Sequence, residues 1–238
     1  MSKNSNSQAR PSFINFAIIG FGNIGTRHAK HIFNHPNAKL LAVCDIDESK
    51  LQNSFIEEEN IPTFTDYRKL LEQSNIGVVN VCTPNYLHHP MTIAALEAGK
   101  HVVCEKPMAM SSLQCKEMIE AAEQNDCQLF VVKQNRYNPP VKVVKELIEG
   151  GKLGRVFQVA INCFWNRNAA YYLNSTWRGK KALDGGCLFT QCSHFVDILY
   201  YLVGDVEAVS GMIHNFNHQD LAEFEDAGTF LLKGKNGA

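Results

Sequence analysis

The sequence predicts an α/β fold: a doubly wound parallel sheet followed by a second, α+β domain. Three observations predict it. Strand-like and helix-like segments alternate from Phe13 to Val132. A glycine turn, Gly20-Phe21-Gly22-Asn23-Ile24-Gly25, joins the first strand to the first helix. The alternation ends after Pro139-Pro140. Repeated βα units of this length imply parallel strands covered by helices.

Each element has its own reason. Phe13 to Gly20 is an apolar run entering the turn, and Ile24 to Phe33 reads as a helix. Leu40 to Cys44 is a second strand ending at Asp45; Glu48 to Glu59 is a helix with an outer charged face. Asp66 is placed to cap a short helix through Leu71. Gly77 to Cys82 is a buried strand. Pro90 belongs in the first turn of a helix that ends near Gly99. His101 to Cys104 is the next strand, Ser111 to Asn125 a capped helix and Leu129 to Val132 another strand. Past the proline pair, Val141 to Glu149 reads as a helix and Arg155 to Cys163 as a long strand. Phe164 to Trp177 is an irregular aromatic stretch, and Leu188 to Leu202 a single apolar helix. Strands are expected at Val206 to Ile213 and Ala227 to Leu232. The domains expected are a flexible tail over 1–12, a dinucleotide domain over 13–133 and a substrate and oligomerisation domain over 134–238. Lys233 to Ala238 reads as a hairpin turn, since Asn-Gly supplies positive φ angles. No returning strand follows it, so the chain is expected to stop inside its second domain.

Composition narrows the partners. Among 238 residues the formal net charge is −1, which gives no bulk attraction for nucleic acid. No apolar run reaches the roughly 18 residues of a membrane span, and the first twelve residues lack the apolar core of a signal peptide. The eight cysteines form no Cys-x-x-Cys pair. Reduced thiols of a cytoplasmic protein are the better reading, without a disulfide framework or a metal site.

The glycine turn has the context that a dinucleotide site requires. Gly20 permits the tight turn, Gly22 lets the backbone approach a pyrophosphate, and Gly25 allows close packing of helix on strand. The helix N-terminus offers N–H groups to the phosphates. Asp45, 20 residues beyond Gly25, stands where a carboxylate binds ribose hydroxyls and repels a 2′-phosphate, which favours NAD over NADP. Asp47 is the alternative carboxylate.

Three polar clusters follow strands: Thr83-Pro84-Asn85, Glu105-Lys106-Pro107 and Gln134-Asn135-Arg136. Ligands bind at that edge of open α/β sheets. Lys106 is either a surface lysine or a proton-transfer group; partial burial beside positive charge lowers a lysine pKa toward the useful range. His194, with Asp197 three residues later, is either a satisfied core histidine or part of an active-site wall reached over Gly185-Gly186.

Together these residues resemble the Gfo/Idh/MocA oxidoreductases. The resemblance rests on the Gly20–Gly25 turn, Cys82-Thr83-Pro84-Asn85 with His88, Glu105-Lys106-Pro107, and Asp184-Gly185-Gly186 leading to His194 and Asp197. It implies a Rossmann domain followed by a domain with a large, mostly antiparallel sheet that builds dimers or tetramers. Phe130 to Arg136, Phe164-Trp165-Asn166-Arg167, Tyr171-Tyr172 and Trp177-Arg178-Gly179 look like a subgroup acting in surface-polysaccharide assembly. That subgroup oxidises the C3 hydroxyl of a UDP-linked 2-acetamido-2-deoxyglucuronate with NAD. Its product passes to an aminotransferase, and some members regenerate NAD with 2-oxoglutarate.

Carried over, the resemblance makes Lys106 and His194 the acid–base pair. The cofactor would meet Gly20, Phe21, Gly22, Asn23, Ile24, Gly25, Asp45, Thr83, Pro84, Asn85, His88, Glu105, Lys106, Gln134, Trp177 and Arg178. The substrate would meet Lys106, Asn135, Arg136, Arg167, Tyr172, Arg178, Gln191 and His194. Arg136, Arg167 and Arg178 suit a uronate carboxylate; for Arg167 a structural role is equally open. Many relatives carry Asp four residues before the histidine, where this chain has Thr190. Lys180 to Leu183 and Asn166 to Ala170 also depart from the subgroup. The rival readings are a dehydrogenase of another sugar or an inositol, an NAD-dependent glycosidase, and a non-catalytic NAD-binding regulator.

Overall fold

A computed structural model of the chain describes residues 13–52 and 54–238. The tail expected over residues 1–12 lies outside them. Two compact units are present. The first comprises the described residues up to Thr83, with 88–105 and 113–130; the second comprises 84–87, 106–112 and 131–238. Two strand-end loops expected in the first domain, those carrying Asn85 and Lys106, therefore belong with the second unit.

The first unit is built on a six-stranded sheet of β1 (Ile14–Ile19), β2 (Ala38–Cys44), β3 (Thr63–Phe64), β4 (Val78–Val81), β5 (His101–Cys104) and β6 (Leu129–Val131). Its order is β3-β2-β1-β4-β5-β6. This is the doubly wound arrangement, whose strand order reverses beside β1. Ile18, Val43, Val79, Val81 and Val102 are fully buried, as strands covered on both faces require. The helices are α1 (Asn23–Phe33), α2 (Glu48–Leu51), α3 (Ser54–Glu58), α4 (Tyr67–Leu71), α5 (His88–Glu97) and α6 (Ser112–Gln124). On α1, Ala29 and Ile32 join Ile18, Val43 and Phe21 in one core cluster.

The helix expected over Glu48 to Glu59 is two. Leu51 and Ile56 are both buried, yet five residues apart they sit about 140° round a continuous helix. Gln52 leaves helical geometry with ψ 66 and lets both face inward. Asp66 does cap α4, accepting from Arg68 N at 3.0 Å. The two-residue β3 has no sequence signal of its own; Val43 and Cys44 pair with it.

The second unit contains α7 (Pro139–Glu149), α8 (Ala169–Leu173), α9 (Lys181–Asp184), α10 (Cys187–Thr190), α11 (Ser193–Val203), β7 (Val206–His214) and β8 (Ala227–Gly234). Pro139 and Pro140 start α7, where a missing N–H costs nothing. Residues 155–163, expected as a strand, have no regular structure. Their β propensity is a side-chain property, whereas a strand needs a neighbour to take its N–H and C=O groups. The aromatic stretch contains α8, capped by Asn168. The single helix expected over Leu188 to Leu202 breaks at Gln191-Cys192, whose N–H groups both donate to Cys187 O at 2.9 and 3.0 Å.

β7 and β8 pair antiparallel in a sheet of two strands among the described residues. Both faces leave apolar side chains exposed, among them Val209, Met212 and Leu231. The closing turn forms, but only Gly237 has positive φ. Asn236 uses its side chain instead, donating to Val203 O at 2.9 Å and accepting from Ala238 N at 3.0 Å. Among the described residues no helix is long and apolar enough to cross a membrane.

Candidate functional site

The nucleotide half lies in the first unit, where the glycine turn leaves β1. Gly20 has φ +93, and a Cβ there would lie 2.6 Å from Cys82 O. A Cβ on Gly25 would overlap the Gly20 carbonyl, so α1 could not start so close to the strand. One on Gly22 would meet nothing within 4 Å among the described residues. Gly22 is the N-cap of α1 and offers no side-chain cap, and the first turn, including Asn23 and Ile24, holds no acidic residue. That end of α1 keeps its unpaired N–H groups and positive field for an anion.

Asp45 is buried at the end of β2. Its Oδ2 accepts from Phe21 N at 2.8 Å, and its Oδ1 accepts from Asp47 N at 3.0 Å and Lys50 Nζ at 3.2 Å. The carboxylate thus ties the glycine turn to the end of β2. Asp47, the alternative, instead caps α2 through Ser49 N. On the other side of β1, Thr83 follows β4. Its Oγ1 is buried and has no hydrogen-bond partner among the described residues, and its carbonyl accepts from His88 Nε2 at 2.9 Å. Open space at Gly22, a bare helix N-terminus and an unspent hydroxyl are what a bound dinucleotide would use.

Glu105 is also buried in this unit, with Oε1 3.0 Å from His28 Nε2. Asn80 Nδ2 lies 2.8 Å from His28 Nδ1. With that amide donating, Nδ1 accepts and Nε2–H donates to Glu105. Sequence reasoning missed His28 and Asn80. The available signal was Asn80 itself, a polar residue inside the apolar run Val78-Val79-Asn80-Val81.

The polar half lies in the second unit. The Lys106-Pro107 bond is cis. Lys106 Nζ donates to Thr190 O at 3.0 Å, and Ser193 Oγ donates to the same carbonyl at 3.0 Å. His194 is buried in the first turn of α11. Position 190 thus serves Lys106 with its backbone, while the Thr190 hydroxyl donates to Gly186 O at 2.9 Å.

Asp184, 2% exposed, is the hub of this half. Asn85 Nδ2 donates to its carbonyl at 2.8 Å, and Gly179 N donates to its Oδ2 at 3.0 Å. Burial pushes its carboxyl above the ordinary value, against the Gly179 N–H and the positive charge of Arg178, Lys106 and Arg167. Pro84 leads into the 3-10 turn Asn85–Leu87. Asn85, expected on the cofactor, spends its amide donor on Asp184. The segment Trp177-Arg178-Gly179 is fixed by Ser175 Oγ, which accepts from Trp177 N at 3.4 Å and Arg178 N at 3.1 Å.

The arginines divide. Arg136 makes a two-point pair with Asp197 at 2.7 and 2.6 Å, so its fork is spent within the chain. Gln134 and Asn135 share the 3-10 turn that carries it. Arg167 and Arg178 instead stack on the Tyr171 ring at 4.2 and 4.3 Å. The Nε of each has no hydrogen-bond partner among the described residues. Gln191 Nε2 donates to Tyr171 OH at 3.3 Å. Tyr172, expected at the substrate, packs in a small core with Ala222 and Phe224, and burial raises its phenol to about 12. Tyr171 is the ring that meets the two guanidiniums. A cavity of about 410 Å³ is lined by Asn166, Arg167, Asn168, Ala170, Tyr171 and Asn174.

Among the described residues no group of three or more His, Cys, Asp or Glu is placed to hold a metal ion. Cys44 and Cys104 are raised to about 12, mainly by burial, as suits unreactive core thiols.

The chain is 37% identical to the WlbA dehydrogenase from Bordetella pertussis, solved with NADH and UDP-GlcNAcA; the TM-score is 0.90, covering 95% of this chain and 65% of that one. It is 34% identical over 150 residues to levoglucosan dehydrogenase of Pseudarthrobacter phenanthrenivorans, covering 63% of this chain and 38% of that protein. It is 29% identical to myo-inositol 2-dehydrogenase of Thermotoga maritima, covering 93% of this chain and 65% of that protein. The chain thus spans less than two thirds of the length of each. Residues 14–133 match the oxidoreductase family with the NAD-binding Rossmann fold, and residues 141–238 match the GFO/IDH/MocA C-terminal domain. With both parts matched in order, the chain belongs to the Gfo/Idh/MocA oxidoreductase family and carries its NAD-binding fold.

Proposed function

We propose that the chain is an NAD-dependent dehydrogenase of a nucleotide-linked sugar uronate, oxidising a ring hydroxyl, by our reading that at C3, to a ketone. The observation that carries this reading is the stacked pair Arg167 and Arg178 on Tyr171, whose Nε donors are unpaired among the described residues. Buried donors without partners are rare and call for a ligand. Planar guanidinium donors suit a carboxylate or a diphosphate. A nucleotide-sugar uronate carries both groups. Inositol and levoglucosan carry neither and offer those donors only neutral oxygens.

In this reading residues 13–133 hold NAD and residues 134–238 the sugar. Bound NAD would accept a hydride at the nicotinamide ring. Lys106, whose Nζ is held by the Thr190 carbonyl, would face the substrate hydroxyl. A neutral amine there takes the hydroxyl proton, and the resulting ammonium offsets negative charge on the oxygen. His194 is the second proton carrier. Thr190 has no carboxylate to share this work. Arg136 positions α11 through Asp197 rather than binding substrate. Trp177 and Arg178 belong to a segment that closes on the ligands. We assign the product to an aminotransferase and 2-oxoglutarate to NADH reoxidation, and infer a homodimer or homotetramer that covers the exposed faces of β7 and β8.

The test adds UDP-linked 2-acetamido-2-deoxyglucuronate and NAD to the purified chain and follows NADH absorbance, with inositol and levoglucosan as comparison substrates. Turnover of the uronate alone supports the reading; turnover of inositol in its place refutes it. Lys106→Met should keep NADH binding and lose turnover, and unchanged turnover would remove Lys106 from the mechanism.

A further inference from the structure

Three thiols meet in the second unit, in the segment that also serves Lys106. The side chain of Cys192 lies within interaction reach of both Cys187 and Cys163. All three are partly exposed, unlike the buried Cys44, Cys82 and Cys104. Cys187 opens α10 and Cys192 precedes α11, and Cys192 N donates back to Cys187 O at 3.0 Å. Main chain and side chain therefore both close the loop between these two residues. Thr190, whose carbonyl receives Lys106 Nζ, lies inside that loop.

We propose that Cys187 and Cys192 form a redox-active dithiol, closed to a disulfide by hydroperoxides, with Cys187 as the attacking thiol. This goes beyond the dehydrogenase reading and does not depend on it. Among the described residues these thiols belong to no group of three or more His, Cys, Asp or Glu placed to hold a metal ion. The two partners are not equivalent. The neighbouring Cys192 thiol lowers the Cys187 thiol against burial, whereas Cys187 and burial raise Cys192. The thiolate is the nucleophile in such reactions.

The steps balance. The Cys187 thiolate attacks one peroxide oxygen; an S–O bond forms, the O–O bond breaks, and the leaving hydroxide takes a proton to become water. The Cys192 thiol then attacks the sulfenic sulfur, an S–S bond forms, and the S–O bond breaks to release a second water. Two thiols and one hydrogen peroxide give one disulfide and two waters. The sulfurs lose two electrons and the peroxide gains them.

Closure draws the two sulfurs from thiol contact to a bond of about 2.05 Å. The turn bearing the Thr190 carbonyl must tighten with it. The expected consequence is a weaker hold on Lys106 Nζ and faster acylation of that amine.

The experiment treats the full chain with hydrogen peroxide, alkylates the remaining thiols and maps tryptic peptides. Residues 182–233 form one tryptic peptide, which holds Cys187 and Cys192 and no other cysteine; Cys163 falls in the peptide 156–167. The proposal expects the first peptide two hydrogens lighter and unalkylated, with Cys163 still alkylated. Cys187→Ser and Cys192→Ser should each abolish this product, and Cys163→Ser should keep it. A cross-link joining the two peptides, or full alkylation of all three thiols after peroxide, would overturn it. Lys106 acylation measured on the same samples should rise severalfold on oxidation and fall back on reduction. An unchanged rate would overturn the coupling to Lys106.

Discussion

Asp45→Asn separates a carboxylate that merely faces a ribose from one that also builds the site. Both Asp45 oxygens are occupied by backbone donors, Phe21 N at 2.8 Å on Oδ2 and Asp47 N at 3.0 Å on Oδ1. Asparagine has one acceptor oxygen. Whichever way its amide turns, an NH₂ group faces one of those two N–H groups. One charge-assisted bond is lost in a buried setting, a cost of about 1.5–3 kcal/mol. The loss of the Lys50 ion pair adds little, because it is 45% exposed on the lysine side and such pairs contribute under about 1 kcal/mol. Denaturant unfolding of Asp45→Asn should therefore show a loss of about 1.5–3 kcal/mol. NADH binding, followed by fluorescence titration, should weaken by roughly tenfold or more, since tenfold corresponds to about 1.4 kcal/mol. Ile46→Ala is the control: its side chain is 89% exposed, and both measurements should stay unchanged. An Asp45→Asn protein that unfolds at the wild-type midpoint and titrates like wild type would refute the argument.

Other outcomes follow from the same geometry. Gly25→Ala places a methyl on the Gly20 carbonyl; overpacking costs about 1–3 kcal/mol, and NADH titration should show binding lost with most of the fold retained by circular dichroism. Arg178→Met should raise KM for a uronate substrate far more than it lowers kcat, which steady-state kinetics can separate; an unchanged KM would detach the arginine pair from the anion. Asp226 predicts a pH effect. Burial raises its carboxyl, but donation from Phe216 N, His218 and Asn217 N outweighs it, and the folded value lies below the ordinary one. Its contribution is therefore complete above about pH 4 and is lost as pH falls through the depressed value. Urea midpoints measured downward from pH 6 should fall less steeply in Asp226→Asn.

Much of the first unit was legible because its signals are local. Apolar strands buried on both faces, the glycine spacing and the Asp66 cap can be read from adjacent residues. What was missed depends on distant partners. Arg136 and Asp197 are 61 residues apart, so a guanidinium spent within the chain read as one available to a ligand. In sequence His28 is an ordinary helix residue, because its partner Glu105 lies 77 residues on. Tyr171 and Tyr172 are neighbours on one short helix, and no local pattern says which ring faces the arginines. The segment 155–163 failed for the opposite reason: its residues favour a strand, but no ladder partner stands beside it among the described residues. Leu188 to Leu202 is apolar throughout, and no propensity marks the point where two N–H groups converge on Cys187 O.

The end of β5 shows how a strand fixes the residues that follow it. Cys104 pairs with Val81 in the parallel ladder, and Glu105 N still donates to Val81 O at 3.0 Å. Glu105 is therefore held by the sheet through its backbone and by His28 through its carboxylate. Lys106 is the first residue past that anchor, and its amine goes to Thr190 O. The strand fixes where the lysine backbone begins, and the carbonyl fixes where its nitrogen ends. A long flexible side chain held at both ends loses rotamer freedom before a substrate arrives, at a cost borne in folding. That is the preorganisation a proton-transfer group needs. Thr190 in place of an acid still supplies that anchor, through its backbone carbonyl.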